Sequence, residues 1–556
     1  MKIKKVTIYG YRSIKEPLEL ELKDVNAIIG GNNVGKSNIL KAIWTVLGRD
    51  WVTVNNFCED DVYLRDGEND IKITIEFDEP YKYHQFQGID PIDIPKISFT
   101  YTKYKIGENI GQRRLEKQCL NKSDKPVNVL AKKPQKGEQR QYQPLTTIPQ
   151  DIQKDLHVIF IGMNRNLKYQ LPGSKNSILE ILLRDINTDF ENPDNKMQIK
   201  NSKGETIEIS RIDRFKQCIK CAIESLRTDQ LNELEKTIKN NALRQLGFNT
   251  ENDNENLNIY FNPLTSIDFY TSLQIYVKEN DFEINATELG GGFQNALVIA
   301  ILKAFEERRK SGALFLIEEP EMFLHPQMQR SLYKTIRSIS ENNQIIYTTH
   351  SPHFVTIPEY DEIFIISKDE NGTVKHKSTL QKTTQIEEKL RKELDPERSE
   401  LFFAKRVLLV EGDTEKLSLP EYAKRENLDF DNMGSSIIEV TGKRNLKTFA
   451  DLVLSFNIPL GFIYDIDSSE ISDKNEEKKL NQELEDYKNK GVNVWSFNKK
   501  YEDELKNALG ENSYQKACQK YSKSTKPIKA RLIASDTQFS VPDFVKPIIK
   551  WLANKS

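Results

Sequence analysis

Several things are scarce in this chain, and each scarcity narrows what it does. There are five cysteines in 556 residues, too few for a disulfide framework, which fits a reducing cytoplasm. Net charge is nearly absent: 81 basic residues against 83 acidic ones leave −2. No global basic field advertises nucleic acid, so any contact with it has to come from local patches. Long apolar runs are missing too. A stretch such as Ala296 to Leu302 falls well short of the ~20 residues a membrane span needs, and the mean hydropathy is −0.61. Met1-Lys2-Ile3-Lys4-Lys5 lacks the apolar segment of a secretion signal and continues into a strand pattern. The expectation is a cytoplasmic protein with no membrane association, long enough for about two to four domains.

Cys218 and Cys221 form the only close cysteine pair. No second pair or suitably spaced histidine accompanies them, and they lie in a helical pattern with Phe215, Ile219, Ala222 and Leu226. Buried structural thiols are expected rather than zinc or redox chemistry.

Against these absences stands Gly30-Gly31-Asn32-Asn33-Val34-Gly35-Lys36-Ser37, a complete G-x-x-x-x-G-K-[ST] phosphate loop. Strand patterns precede it (Leu18, Leu20, Leu22, then Asn26 to Ile29). A helical pattern of Ile39, Leu40, Ile43 and Leu47 follows, closed by Gly48. Glycines let backbone wrap phosphates, and amides at the helix start, through Asn38, point at the anion. Lys36 reaches the β- and γ-phosphates of ATP, and the Ser37 hydroxyl holds a Mg²⁺.

Residues 1–173 read as the first part of this nucleotide domain, with alternating Ile71, Ile73, Ile75 and Phe77, and Ile97, Phe99 and Tyr101. His157 to Ile161 is a further strand, and residues 121–143 a polar, basic loop. Residues 174–250 turn helical, with Ile178, Leu179, Leu182 and Ile186 on one face and Leu231, Leu234, Ile238 and Leu246 on another. Such an insertion serves packing or dimerisation, and dimerisation is favoured. Residues 251–385 return to the nucleotide domain. Gly290-Gly291-Gly292 opens an apolar helix there, a second anion-binding terminus.

The apolar run Ala313 to Ile317 marks a strand buried on both faces and ends in Glu318-Glu319-Pro320-Glu321. A carboxylate at the end of a central strand beside a phosphate loop supplies the hard oxygen that Mg²⁺ needs. Glu318 is assigned to the metal, directly or through water, and Glu319 to polarising the attacking water. A further apolar strand, Gln344 to Tyr347, leads to His350, placed to sense the γ-phosphate.

Residues 386–400 read as a charged linker, and residues 401–556 as a second α/β unit. Val407 to Val410 ends in Glu411, a turn at Gly412 follows, and a helix carries Glu415 in its first turn. Leu460 to Tyr464 runs into Asp465-Ile466-Asp467, two acids on one side of a strand. Four carboxylates at adjacent strand ends repel unless cations separate them. The all-oxygen set favours Mg²⁺ or Mn²⁺ over zinc.

Phosphate loop, Gly-rich segment, acid-ended strand and histidine-ended strand, in that order, resemble the ABC-type ATPases of the SMC and RecF-like group. The resemblance implies a nucleotide role for Arg12 in Tyr11-Arg12-Ser13-Ile14. It also implies two heads sandwiching ATP, with Gly291 and Gly292 acting in trans. Gly290 stands where that group usually has serine. Val410-Glu411-Gly412-x-Thr414-Glu415 with Asp465-x-Asp467 resembles the Toprim domain, and the whole chain resembles the OLD family of nucleases, which includes Gabija's nuclease subunit. That resemblance implies an α/β chain with an ABC-type head, a helical insertion and a C-terminal Toprim domain. It implies a third acid at Glu502 or Glu504, a late lysine at Lys526 or the nearby Lys529, and two-metal hydrolysis of DNA with a third ion beside ATP. Double-stranded DNA as substrate, assembly as a homodimer or tetramer, and a helicase-like or reverse-transcriptase partner in phage defence are implied as well. The rival is an SMC-type DNA clamp that binds without cutting.

Overall fold

The computed structural model describes all residues except 49–51, 134–139, 164–176, 201–203, 227, 231–232, 235, 240–265, 280–281, 309–311, 356, 393–395, 467–473, 499 and 555–556. The chain divides into two compact units, Met1–Met163 with Ser311–Ser556, and Asn164–Lys310. The second is wider on both sides than the insertion expected over residues 174–250.

In the first unit, the nucleotide domain is built on a six-stranded sheet. Its order is Gly372–Lys377, Ile363–Asp369, Val25–Gly30, Gln344–Thr348, Ala313–Glu318, His157–Ile161. All neighbours are parallel except the first pair. Val25–Gly30, Ala313–Glu318 and Gln344–Thr348 are buried at every position. That explains why they read as unbroken apolar runs rather than alternations. A second, antiparallel sheet runs in the order Leu18–Glu21, Ile3–Tyr9, Ile71–Tyr83, Ile92–Lys103, Arg113–Leu120. Here the expected alternation holds: Ile71, Ile73, Ile75 and Phe77 face inward. Helix Lys36–Leu47 sends Ile39, Leu40, Ile43 and Leu47 into the core shared by the two sheets.

The phosphate loop is packed from outside as well as wound from within. Gly30 has φ +145°, and a Cβ there would sit 2.1 Å from the Ile366 carbonyl oxygen. Gly35 has φ +108°, and its Cβ would meet Thr373 Oγ1 at 2.5 Å and Ser13 Oγ at 2.6 Å. Gly30→Ala is therefore expected to cost about 2–3 kcal/mol of stability and to abolish ATP binding. Thermal melting with and without ATP checks it; a variant that still gains stability from ATP would show that the close approach is dispensable.

The C-terminal part of this unit has its own parallel sheet, ordered Ser435–Glu439, Arg406–Val410, Leu460–Asp465, Asn493–Phe497. Strand Arg406–Val410 delivers Glu411 to its carboxyl end, and helix Asp413–Arg425 begins directly after Gly412. Gly412 is extended, and a Cβ there meets nothing within 4 Å. Helices Tyr501–Leu509, Lys526–Ser535 and Val545–Leu552 share one apolar core with Leu408, Val410 and Ile463. The helix Thr384–Lys392 runs into the region read as a linker.

The second unit contains helices Ile178–Glu191, Arg211–Leu226, Ser266–Thr271 and Gly291–Arg308, and two hairpins. Phe190, Phe215, Phe269 and Tyr270 pack edge to face within it. Cys218 and Cys221 are exposed, which corrects the expectation of buried thiols: helical periodicity groups them on a face without saying what covers that face. Leu231, Leu246 and the segment 251–265 lie outside the described residues. The described residues hold no helix long and apolar enough to cross a membrane.

Candidate active sites

At the head, Lys36 is buried and points back into its own loop. Its Nζ donates to the carbonyls of Gly30 (3.0 Å) and Gly31 (2.8 Å) and lies 2.9 Å from His350 Nε2. Burial lowers its pKa, opposed by Glu319 and Glu321. Burial first, and then the Lys36 charge, lower the pKa of His350, so the imidazole is poised to accept through Nε2. Glu319 Oε1 stands 3.5 Å from the same nitrogen, and Glu319 itself takes φ +44°. A non-glycine residue held in that conformation marks a strained turn of the kind found at reactive sites. Glu318 is 4% exposed and accepts the Met163 amide at 3.2 Å.

Two contributions here lie beyond the sequence reading, those of Glu321 and Thr373. Glu321 Oε1 accepts from Thr349 Oγ1 (2.9 Å) and from the His350 amide (2.6 Å), so it sets the turn that aims the histidine. Thr373 Oγ1 lies 2.8 Å from both the Val34 carbonyl and Ser13 Oγ, and Asn38 donates to Ser13 Oγ at 2.8 Å. Arg12, expected at the nucleotide, gives its Nε to Asp61 at 2.8 Å. Asn32 and Asn33 lie in the loop, Asn33 with φ +62°, and Ser37 in the first helical turn. A cradle of backbone, a buried lysine and nearby acids fits a nucleotide triphosphate with its cation.

In the C-terminal domain, Glu411 Oε1 accepts the Asp465 amide at 2.8 Å, which ties the two strand ends together. Glu415 is buried, and its carboxyl is pushed up to about 7 by burial, then by Glu502 and Glu411, against a lowering influence of Lys526. Lys526 Nζ pairs with Glu502 at 2.9 Å and senses Glu415 and Asp465 too. Of the alternatives read from sequence, the structure brings Glu502 and Lys526 to this point. Asp467 lies outside the described residues.

The acids gather without forming a finished cage. Among the described residues, no three His, Cys, Asp or Glu side chains are grouped so as to hold an ion as they stand. Glu411 is turned to the Asp465 amide and Glu502 to Lys526, as expected for carboxylates that relieve repulsion through local partners. The oxygen-only donor set and the raised pKa of Glu415 fit a hard divalent cation, which Glu411, Glu415, Asp465 and Glu502 would hold. Lys443, buried, donates to the Asp465 carbonyl at 2.7 Å and lies 3.3 Å from Glu477, so a fixed cation already backs this strand end. The Tyr464 hydroxyl is buried and donates to Glu485 at 2.9 Å.

A parallel-sheet phosphate-loop head joined to a Toprim-type acid site defines a two-domain class, an ATPase head fused to a Toprim domain. Comparison with known proteins agrees: residues 1–355 match the family described as AAA ATPase domain, and residues 402–467 the one described as Overcoming lysogenization defect protein-like, TOPRIM domain. The chain thus belongs to the AAA ATPase domain family. It is 29% identical to the OLD nuclease of Thermus scotoductus (strain ATCC 700910 / SA-01), over 87% of this chain and 85% of that one. It is 28% identical to the Old nuclease of Escherichia phage P2, over 35% of this chain and 36% of the relative. It is 27% identical to the endonuclease GajA of Bacillus cereus (strain HuB5-5), over 43% of this chain and 39% of the relative.

Proposed function

We propose that this protein is a divalent-metal-dependent endonuclease acting on double-stranded DNA, with its ATPase head regulating the Toprim site and its biological role in defence against phage. The observation that carries the reading is the convergence of Glu411 and Asp465, at the ends of parallel strands, with Glu415, Glu502 and Lys526 from three helices, Glu415 being held near 7 by burial and its acidic neighbours. Bound Mg²⁺ or Mn²⁺, about two ions, supplies a water of lowered pKa and charge stabilisation at the leaving oxygen. The chain's own part is to orient the acids through the Glu411–Asp465 tie and to set the Lys526 ammonium beside the phosphate, where charge develops. Lys443 holds the Asp465 carbonyl and so the backbone that carries this carboxylate.

Regulation has a physical route. Helix Lys443–Ser455 begins at the lysine that grips Asp465. It ends at Ser455, whose Oγ is 2.7 Å from Ser378 Oγ and whose carbonyl accepts the Thr379 amide. Ser378 follows the strand Gly372–Lys377, whose Thr373 also braces the phosphate loop. A shift of the loop on binding ATP is thereby passed to the acid site by a rigid rod. A homodimer or tetramer with Gly291 and Gly292 closing on a partner's nucleotide, and a helicase-like or reverse-transcriptase partner, complete the proposal.

Supercoiled plasmid incubated with Mg²⁺ or Mn²⁺, with and without ATP, is expected to be nicked and then linearised at an ATP-dependent rate. Asp465→Asn is expected to lower the rate at least about 10³-fold. Cutting by the variant at the wild-type rate, or none by either protein in any metal, contradicts the nuclease reading and leaves the clamp. A rate indifferent to ATP contradicts the coupling alone.

A further inference from the structure

Beside the acid cluster lies a cavity of about 340 Å³ lined by Lys500, Glu502, Leu505, Tyr514, Lys526 and Lys529, with Cys518 and Ile533 in its wall. The volume falls in the range of about 300–1,000 Å³ typical of small-ligand sites. Its lining is divided. Leu505, Ala530 and Ile533 make an apolar floor, and Tyr514 adds a half-buried ring. Lys500, Lys526 and Lys529 against Glu502 and Asp503 leave the rim with an excess of positive charge. Lys526 and Glu502 belong both to this cavity and to the acid site, so an occupant of the cavity lies next to the acids. Burial and the neighbouring Cys518, Glu502 and Asp503 keep the Tyr514 phenol protonated, a neutral ring suited to stacking.

Apolar floor, aromatic ring and lysine rim together match one kind of occupant: a nucleobase with its phosphate. We propose that the Tyr514 cavity is a subsite for a single unpaired nucleotide flanking the scissile phosphate, its base against the half-buried Tyr514 ring and its far phosphate at Lys500 and Lys529. This rests on the nuclease reading and deepens it. A base inside a duplex cannot enter such a cavity without leaving the stack, and extrusion is cheapest where pairing is already lost. The enzyme therefore prefers DNA whose nucleotide next to the cut is unpaired.

Two measurements test this. The first compares a plasmid carrying a short mismatched bubble with the same plasmid fully paired. The wild type should cut the bubble about tenfold or more faster; Tyr514→Ala should erase the difference, and Tyr514→Phe, which keeps the ring, should retain it. Equal rates for the wild type, or a preference that survives in Tyr514→Ala, overturn the subsite. The second does not need cleavage: iodoacetamide labelling of Cys518, followed by mass spectrometry with the exposed Cys58, Cys218 and Cys221 as internal controls. Thymidine 5′-monophosphate should slow labelling of Cys518 alone severalfold, and Lys529→Ala should remove that protection. Absence of protection overturns the subsite even in a protein that cuts DNA. Protection in a protein that cuts nothing sustains nucleotide binding in the cavity and refutes the nuclease reading, and with it the placing beside a scissile phosphate.

Discussion

Glu415→Gln abolishes DNA cutting while making the metal-free protein more stable above neutral pH. The substitution keeps the shape of the side chain and removes its charge. In the folded protein the carboxyl sits at about 7, raised by burial and by Glu502 and Glu411. A carboxyl whose folded pKa lies above its unfolded one favours folding while protonated. Its contribution is complete below about 4.5 and is lost as pH rises through about 7. At pH 8 the charged Glu415 therefore opposes folding by about 3 kcal/mol, and the neutral amide removes most of that penalty. Melting curves at pH 5 and pH 8 should show the variant gaining on the wild type only at the higher pH. Adding Mn²⁺ should reverse the order, because the cation stabilises the wild-type carboxylate and finds a weaker ligand in the amide of the variant. Equal melting points at both pH values would show that the acids are already neutralised.

Lys36→Ala loses ATP binding and, with it, any effect of ATP on cutting. The side chain now holds two loop carbonyls and contacts His350, bonds it exchanges for phosphate oxygens when nucleotide enters. Removing a buried charged partner of this kind costs about 2–5 kcal/mol of affinity, or roughly 30- to several-thousand-fold. A second signature follows from the same geometry. Burial and the Lys36 charge together hold the His350 pKa down, so in Lys36→Ala it should rise, visible as a shifted imidazole titration by NMR. An unchanged titration would mean that the lysine does not face the histidine.

How much of this was readable from residues alone depended on distance along the chain. The phosphate loop was legible because its chemistry is contiguous, and the Toprim acids because each follows an apolar run that could only be a buried strand. Glu411 and Asp465 then had to meet, since parallel strands in one sheet end on the same side. What escaped was what the fold supplies from afar. Thr373 braces Val34 across 339 positions, and nothing in Gly372-Thr373 announces it. Glu321 was visible beside Glu319, yet only the folded turn shows that it grips the His350 amide. The hold of Lys443 on the Asp465 carbonyl is likewise a tertiary fact that no neighbouring residue announces. The exposed Cys218 and Cys221 show the converse: amphipathic spacing names a face and not its cover.

The central claim is that the acids of the C-terminal domain exist to hold divalent cations against a nucleic-acid backbone. Its most direct test is to count bound Mn²⁺ by electron paramagnetic resonance on nucleotide-free protein, for the wild type and for a Glu411→Ala/Asp465→Ala double variant. About two ions per chain in the wild type, lost from the variant while its ATP binding persists, is the expected result. The same count in both proteins, or no bound manganese in either, would contradict it.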